Sequence, residues 1–190
     1  MRPAINSLIA GCLLLSVTMA PAAAQGKRVL GIELGSRLLL PKCGGGGALT
    51  SQPCINSDPI EHTAWGADAY HVALPISGAP SYVRGELKVI TFEGIVESVQ
   101  IGTWGIQSQT GVVAALTGQY GKPARTRQQK HPLSREPAQF AEWDLADFSV
   151  TLRGMTGSID WGLIDVSTHR YQKLVKDYVQ RQPAGTSRKP

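Results

Sequence analysis

Two β-rich runs joined by Glu93-Gly94 constrain this chain more than any other feature. In Glu86–Phe92, Leu87, Val89 and Thr91 alternate with Lys88, Ile90 and Phe92; beyond the glycine, Val99 and Ile101 alternate with Ser98 and Gln100. A period of two is that of a strand, whose successive side chains point to opposite faces. A Glu-Gly link suits a tight reversal, because glycine takes a positive φ without steric cost. The stretch 86–101 therefore reads as an antiparallel hairpin. Such a hairpin needs more strands or a helix to bury its apolar side.

The period then changes. Val112, Val113, Leu116 and Tyr120 lie on one helical face, with Ser108 in a capping position, Gly121 as the terminator and Pro123 forbidding continuation. Lys122–Arg135 reads as a polar, basic connector. Strand-like runs follow at 140–145, 148–153 and 159–168, separated by turns at Ala146-Asp147 and Gly154–Gly157. Tyr171, Leu174, Val175, Tyr178 and Val179 then repeat at helical spacing behind Thr168, a plausible cap. Upstream, Lys27–Leu40 reads as a strand bent at Gly35-Ser36 and stopped by Pro41, residues 41–69 as an irregular excursion, and Tyr70–Ile76 as a short strand. From residue 86 the order is β-β-α-β-β-β-α. The expected class is α+β: a mostly antiparallel sheet with one or two helices packed on one face, a two-layer sandwich.

The first residues point to export. Arg2 is the only charge before Lys27, the segment from Leu8 to Met19 is largely apolar, and Ala22 and Ala24 supply small residues for cleavage after Ala24. The apolar stretch is shorter than the roughly 20 residues that span a bilayer. Leu8–Cys12 resembles a lipobox, but it precedes the best apolar run, so cleavage near Ala24 without lipid at Cys12 is expected. Residues 25–180 then form a single domain, followed by a disordered basic tail at 181–190.

Without the leader, Cys43 and Cys54 remain. In an oxidising compartment two thiols most simply form one disulfide. The chain carries 19 basic and 14 acidic residues, net +5. Arg2 leaves with the leader, and the end of the chain holds Arg181, Arg188 and Lys189. The body is therefore close to neutral, which argues against a nucleic-acid partner.

Candidate chemistry is sparse. Gly44–Gly47 lacks the Lys and hydroxyl of a phosphate loop. Asp58, Glu61, His62, Asp68 and His71 are the densest potential metal ligands, but the spacing fits no rigid template, so no metal and no cofactor is expected. Neither a Gly-x-Ser-x-Gly elbow nor a Ser-x-x-Lys pair occurs. Glu142 and Asp144 lie on the same side of a strand and offer an acid pair for hydrolysis. Lys122, Arg125, Arg127, Lys130, His131 and Arg135 form a strip without acids that suits an anionic envelope polymer. Of four tryptophans, Trp143 and Trp161 read as core, whereas Trp65 and Trp104 sit beside glycines as lids or interface anchors.

Val29-Leu30-Gly31-Ile32-Glu33-Leu34-Gly35 and Leu116–Pro123 (Leu-Thr-Gly-Gln-Tyr-Gly-Lys-Pro) resemble small exported proteobacterial proteins of unknown function. Those are similar to the α+β modules of the SmpA/OmlA outer-membrane assembly lipoproteins and of β-lactamase inhibitory proteins. The resemblance implies a non-enzymatic binding module of the cell envelope. The expected function is thus a periplasmic binding or inhibitory protein that grips another envelope or secreted protein. The alternatives are a hydrolase using Glu142 and Asp144, or a polyanion-binding accessory protein using the 122–135 strip.

Overall fold

Glu93 and Gly94 both take positive φ, 54° and 76°, and reverse the chain within two residues as the hairpin requires. The computed structural model describes residues 27–44, 52–56, 58–63, 65–75, 78–132 and 134–181. The expected leader with Cys12, the glycines at 45–47 and residues 182–190 of the expected 181–190 tail lie outside the described residues, while Arg181 is the last residue of a helix.

In chain order the elements are β1 (Arg28–Val29), β2 (Ile32–Glu33), β3 (Cys54–Ile55), β4 (Glu61–His62), β5 (Ala67–Ala73), β6 (Val83–Phe92), β7 (Ile95–Thr103), α1 (Gln109–Tyr120), β8 (Arg125–Gln129), β9 (Ala138–Asp144), β10 (Phe148–Arg153), β11 (Gly162–Thr168) and α2 (His169–Arg181). An open antiparallel sheet runs β3-β5-β6-β7-β11-β10-β9-β8, with β4 also on β5. The fold is α+β, as the order of hairpins and helices implies.

Three local readings change. Lys27–Leu40 is not one bent strand: Leu30 and Gly31 take φ of 49° and 87° and fold β1 back on β2. The excursion carries two short strands, β3 and β4, which extend the sheet beyond β5. The basic connector contains a further strand, β8, paired with β9 over five residues. Arg-Thr-Arg-Gln-Gln has no apolar alternation to signal a strand, because all five residues are exposed at the sheet's edge.

The main core lies on one face of the sheet. Leu87, Val89, Val99, Ile101, Trp143, Val150, Leu152, Ile164 and Val166 are buried there against Val112 and Leu116 of α1 and against Val29, Ile32 and Leu34. Gly121 closes α1 at φ 82°, and its carbonyl accepts the Trp143 indole N–H at 2.7 Å. Ser108 holds the cap position, but its hydroxyl donates to Gly105 O at 3.3 Å instead of accepting from the helix. Helix α1 thus forms the second layer on this inner face.

Helix α2 crosses the opposite, outer face. Its Tyr171 packs with Ala67, Ala69, Ile90, Phe92 and Trp65, a second and smaller apolar cluster. Thr168 caps α2, accepting the Tyr171 N–H at 3.1 Å. This helix covers only one end of the outer face.

Candidate functional site

Strand pairing sorts the uncovered outer face into two cross-strand rows. One runs Arg125, Glu142, Thr151, Asp165, Gln100, Lys88, His71; the next runs Arg127, Phe140, Arg153, Leu163, Gly102. Side chains directly opposite on neighbouring strands share a face, and strands lie about 4.8 Å apart. None of these side chains is fully buried apart from the glycine, whereas the alternate residues on the inner face are core. Among the described residues nothing covers this half of the sheet, which is therefore a broad polar and aromatic platform.

At one end Arg84 lies between two tryptophans. Its guanidinium carbon is 4.8 Å from the Trp104 ring and 5.0 Å from the Trp161 ring, and it donates to Asp160 O at 2.6 Å. Trp104 is 46% exposed and Trp161 40% exposed. The expectation that Trp161 is core is corrected: it lies just before β11 and rests over Gly102, where any side chain would meet its ring. Trp143, by contrast, is 1% exposed. Cation–π contact holds both exposed rings in place, so they need not reorder to receive a partner. Arg84, Trp104, Gln107 and Asp160 line a hollow of about 250 Å³.

At the other end Arg125, Arg127 and Arg153 border a cleft of about 770 Å³ with Phe140, Glu142 and Thr151. Arg127 lies over the Phe140 ring at 4.0 Å, and Arg125 approaches Glu142 only to 3.7 Å. Between the two ends Lys88 pairs with Glu61 at 2.8 Å. Burial raises the Asp165 carboxyl above the usual carboxylate range, opposed by hydrogen bonds from Ser98 and Gln100 and by the charge of Arg153. Five cations (Arg84, Lys88, Arg125, Arg127, Arg153) thus stand on the platform against Glu61, Glu142 and Asp165.

The structure separates the basic strip. Arg125 and Arg127 share the outer face of β8, while Lys122 lies in the turn before it and Lys130, His131 and Arg135 in the loop after it. Trp65 stacks with Phe92 at 6.3 Å and meets Tyr171 and Tyr178 at a tilt, at 5.6 and 6.4 Å, lidding the second cluster beneath α2. The acid pair is on one face of β9 as read, but each carboxylate has its own neighbour: Arg125 for Glu142 at 3.7 Å, and the His169 ring for Asp144 at 3.1 Å. Asp58 binds Lys42 at 2.7 Å, and His62 binds Asp68 at 2.6 Å. Cys43 and Cys54 are joined by a disulfide with Cα atoms 5.0 Å apart. Among the described residues no helix is long and apolar enough to cross a membrane.

Arg84, Phe140 and Arg153 carry no signal in the sequence. Arg84 precedes the hairpin read at 86–101, and Phe140 opens the strand-like run at 140–145. Cross-strand register places Phe140 and Arg153 on the platform, and contacts with Asp160 O and the two indole rings place Arg84 there. Compared with known proteins, the chain matches no family model, no curated protein and no solved structure.

Proposed function

We propose that this chain is a non-enzymatic binding protein, exported to the periplasm, whose bare outer sheet face grips another envelope or secreted protein. The observation that carries the reading is the exposed Trp104–Arg84–Trp161 stack on an otherwise wet platform. Tryptophan and arginine are the side chains most enriched among residues that dominate protein–protein affinity. Rings already held in place lose little freedom on binding. The Cys43–Cys54 disulfide agrees with an oxidising compartment. Val29–Gly35 and Leu116–Pro123 resemble small exported proteins of unknown function, which are in turn similar to envelope binding modules, and this agrees with the reading.

The test is capture from an envelope extract by the full chain, comparing wild type, Trp104→Ala/Trp161→Ala and Glu142→Gln, followed by rebinding of the purified captured protein. Wild type should retain one defined protein without turning it over, and the double Trp variant should hold it about tenfold more weakly or worse. Equal retention by the double variant sinks the reading. So does turnover of an envelope substrate that disappears in Glu142→Gln, which would make the chain a hydrolase. Binding to a polyanion alone, lost between about 50 and 200 mM salt, would assign the accessory role.

A further inference from the structure

Strand β8 ends the sheet, and among the described residues no strand pairs with its outer side. Its backbone therefore presents a row of N–H and C=O groups that an extended segment can continue. All five residues from Arg125 to Gln129 are exposed. Arg125 and Arg127 stand on its outer-face side at a spacing of two, the spacing at which an added strand presents its own side chains to that face. Arg153 lies two strands further in, across the same cleft of about 770 Å³.

Charge selects the occupant. A second copy pairing β8 against β8 would bring arginines close to arginines, and like charges opposite one another are unfavourable. The segments outside the described residues do not supply a complement: residues 182–190 hold Arg188 and Lys189 and no acid, residues 1–26 hold Arg2 alone, and residues 45–51 hold no charge. A partner strand with Asp or Glu at alternate positions places its carboxylates over Arg125 and Arg127. There the planar guanidinium fork binds a carboxylate through two parallel hydrogen bonds.

We infer that β8 accepts an extended acidic segment of the partner protein as an additional strand, read by Arg125 and Arg127. This rests on the reading that the outer face binds a protein, and it adds the partner's chemistry and docking mode. Phe140, fixed beneath Arg127, offers an apolar contact beside the charges.

The test uses a blocked octapeptide alternating Glu and Thr, the same peptide N-methylated at alternate residues, and an alternating Lys-Thr peptide. Binding is read by calorimetry, and exchange of the 125–129 amides by NMR on the full chain. The Glu-Thr peptide should bind and slow amide exchange along β8. N-methylation, which keeps every charge but removes strand hydrogen bonds, should abolish both effects. Arg125→Ser/Arg127→Ser should lower affinity about tenfold or more with an unchanged circular dichroism spectrum. Equal binding of the methylated peptide overturns the proposal in favour of charge attraction alone, and so does binding of the Lys-Thr peptide. Self-association that protects β8 without peptide overturns it in favour of a second copy. If the peptide fails while the captured envelope protein still depends on Trp104 and Trp161, the edge-strand proposal falls and the platform reading stands.

Discussion

The carboxylate of Glu97, 1% exposed, meets the guanidinium of Arg170 at 3.0 Å and fastens the first turn of α2 to β7. Glu97 also accepts the Thr168 hydroxyl, and Thr168 accepts the Tyr171 N–H, so cap, ion pair and sheet form one network. A buried carboxylate deprived of its cation keeps its desolvation cost while losing the attraction that offset it. Arg170→Ala should therefore lower stability by about 2–3 kcal/mol, less than for a wholly buried pair because Arg170 is half exposed. Urea unfolding measures this, and a loss below about 0.5 kcal/mol would contradict it.

Gln109, buried at the start of α1, donates to Pro137 O at 3.0 Å and accepts the Gln139 N–H at 2.8 Å. Gln109→Leu keeps roughly the size but leaves the Pro137 carbonyl and the Gln139 N–H, both on half-buried residues, without these partners. The expected cost is about 1–3 kcal/mol, below that of two fully buried orphaned groups. Faster amide exchange at Gln139 should accompany it; unchanged exchange would show that the amide is not the tie between α1 and β9.

The Cys43–Cys54 bond closes a loop with a sequence separation of 11. Loop-closure entropy assigns it about 2–3 kcal/mol. Cys43→Ser/Cys54→Ser should lower the denaturation midpoint accordingly, with the remaining sheet still cooperative, because the core on the inner face lies outside the loop. Loss of a cooperative transition would show that the bridge is needed for folding itself.

Asp165 titrates above the ordinary carboxylate value because burial disfavours its charge. Between the unfolded and folded pKa the native state holds a proton that the unfolded state has released, so stability falls as pH rises through that window. Asp165→Asn removes the fall: the variant should gain on wild type as pH rises from the ordinary carboxylate value through the raised one. Paired thermal melts read the difference. A gap that does not change with pH would mean the carboxyl titrates normally.

Much of the fold is legible because its signals are local. The Glu93-Gly94 reversal, the alternation through Val99 and Ile101, the Gly121 terminator and the Tyr171–Val179 stripe each concern residues a few positions apart. The candidate site was less legible. Trp104 was marked by its neighbouring glycines, but Arg84 between two rings needs Asp160 and Trp161, some 76 positions away. The strip at 122–135 read as one basic surface; β8 turned two of its arginines onto the sheet face and left Lys122, Lys130 and Arg135 in flanking turns.

By itself the sequence determined the hairpin, the two helices, the antiparallel α+β class and the pairing of Cys43 with Cys54. Backbone dihedral preferences, side-chain periodicity and short loop closure are properties of neighbouring residues. Only the tertiary structure decided that α1 and α2 take opposite faces, that Glu97 is buried and Trp161 bare, and that Arg125–Gln129 is an edge strand. Those outcomes depend on which distant strands pair and which face each helix reaches, and no local pattern carries that information.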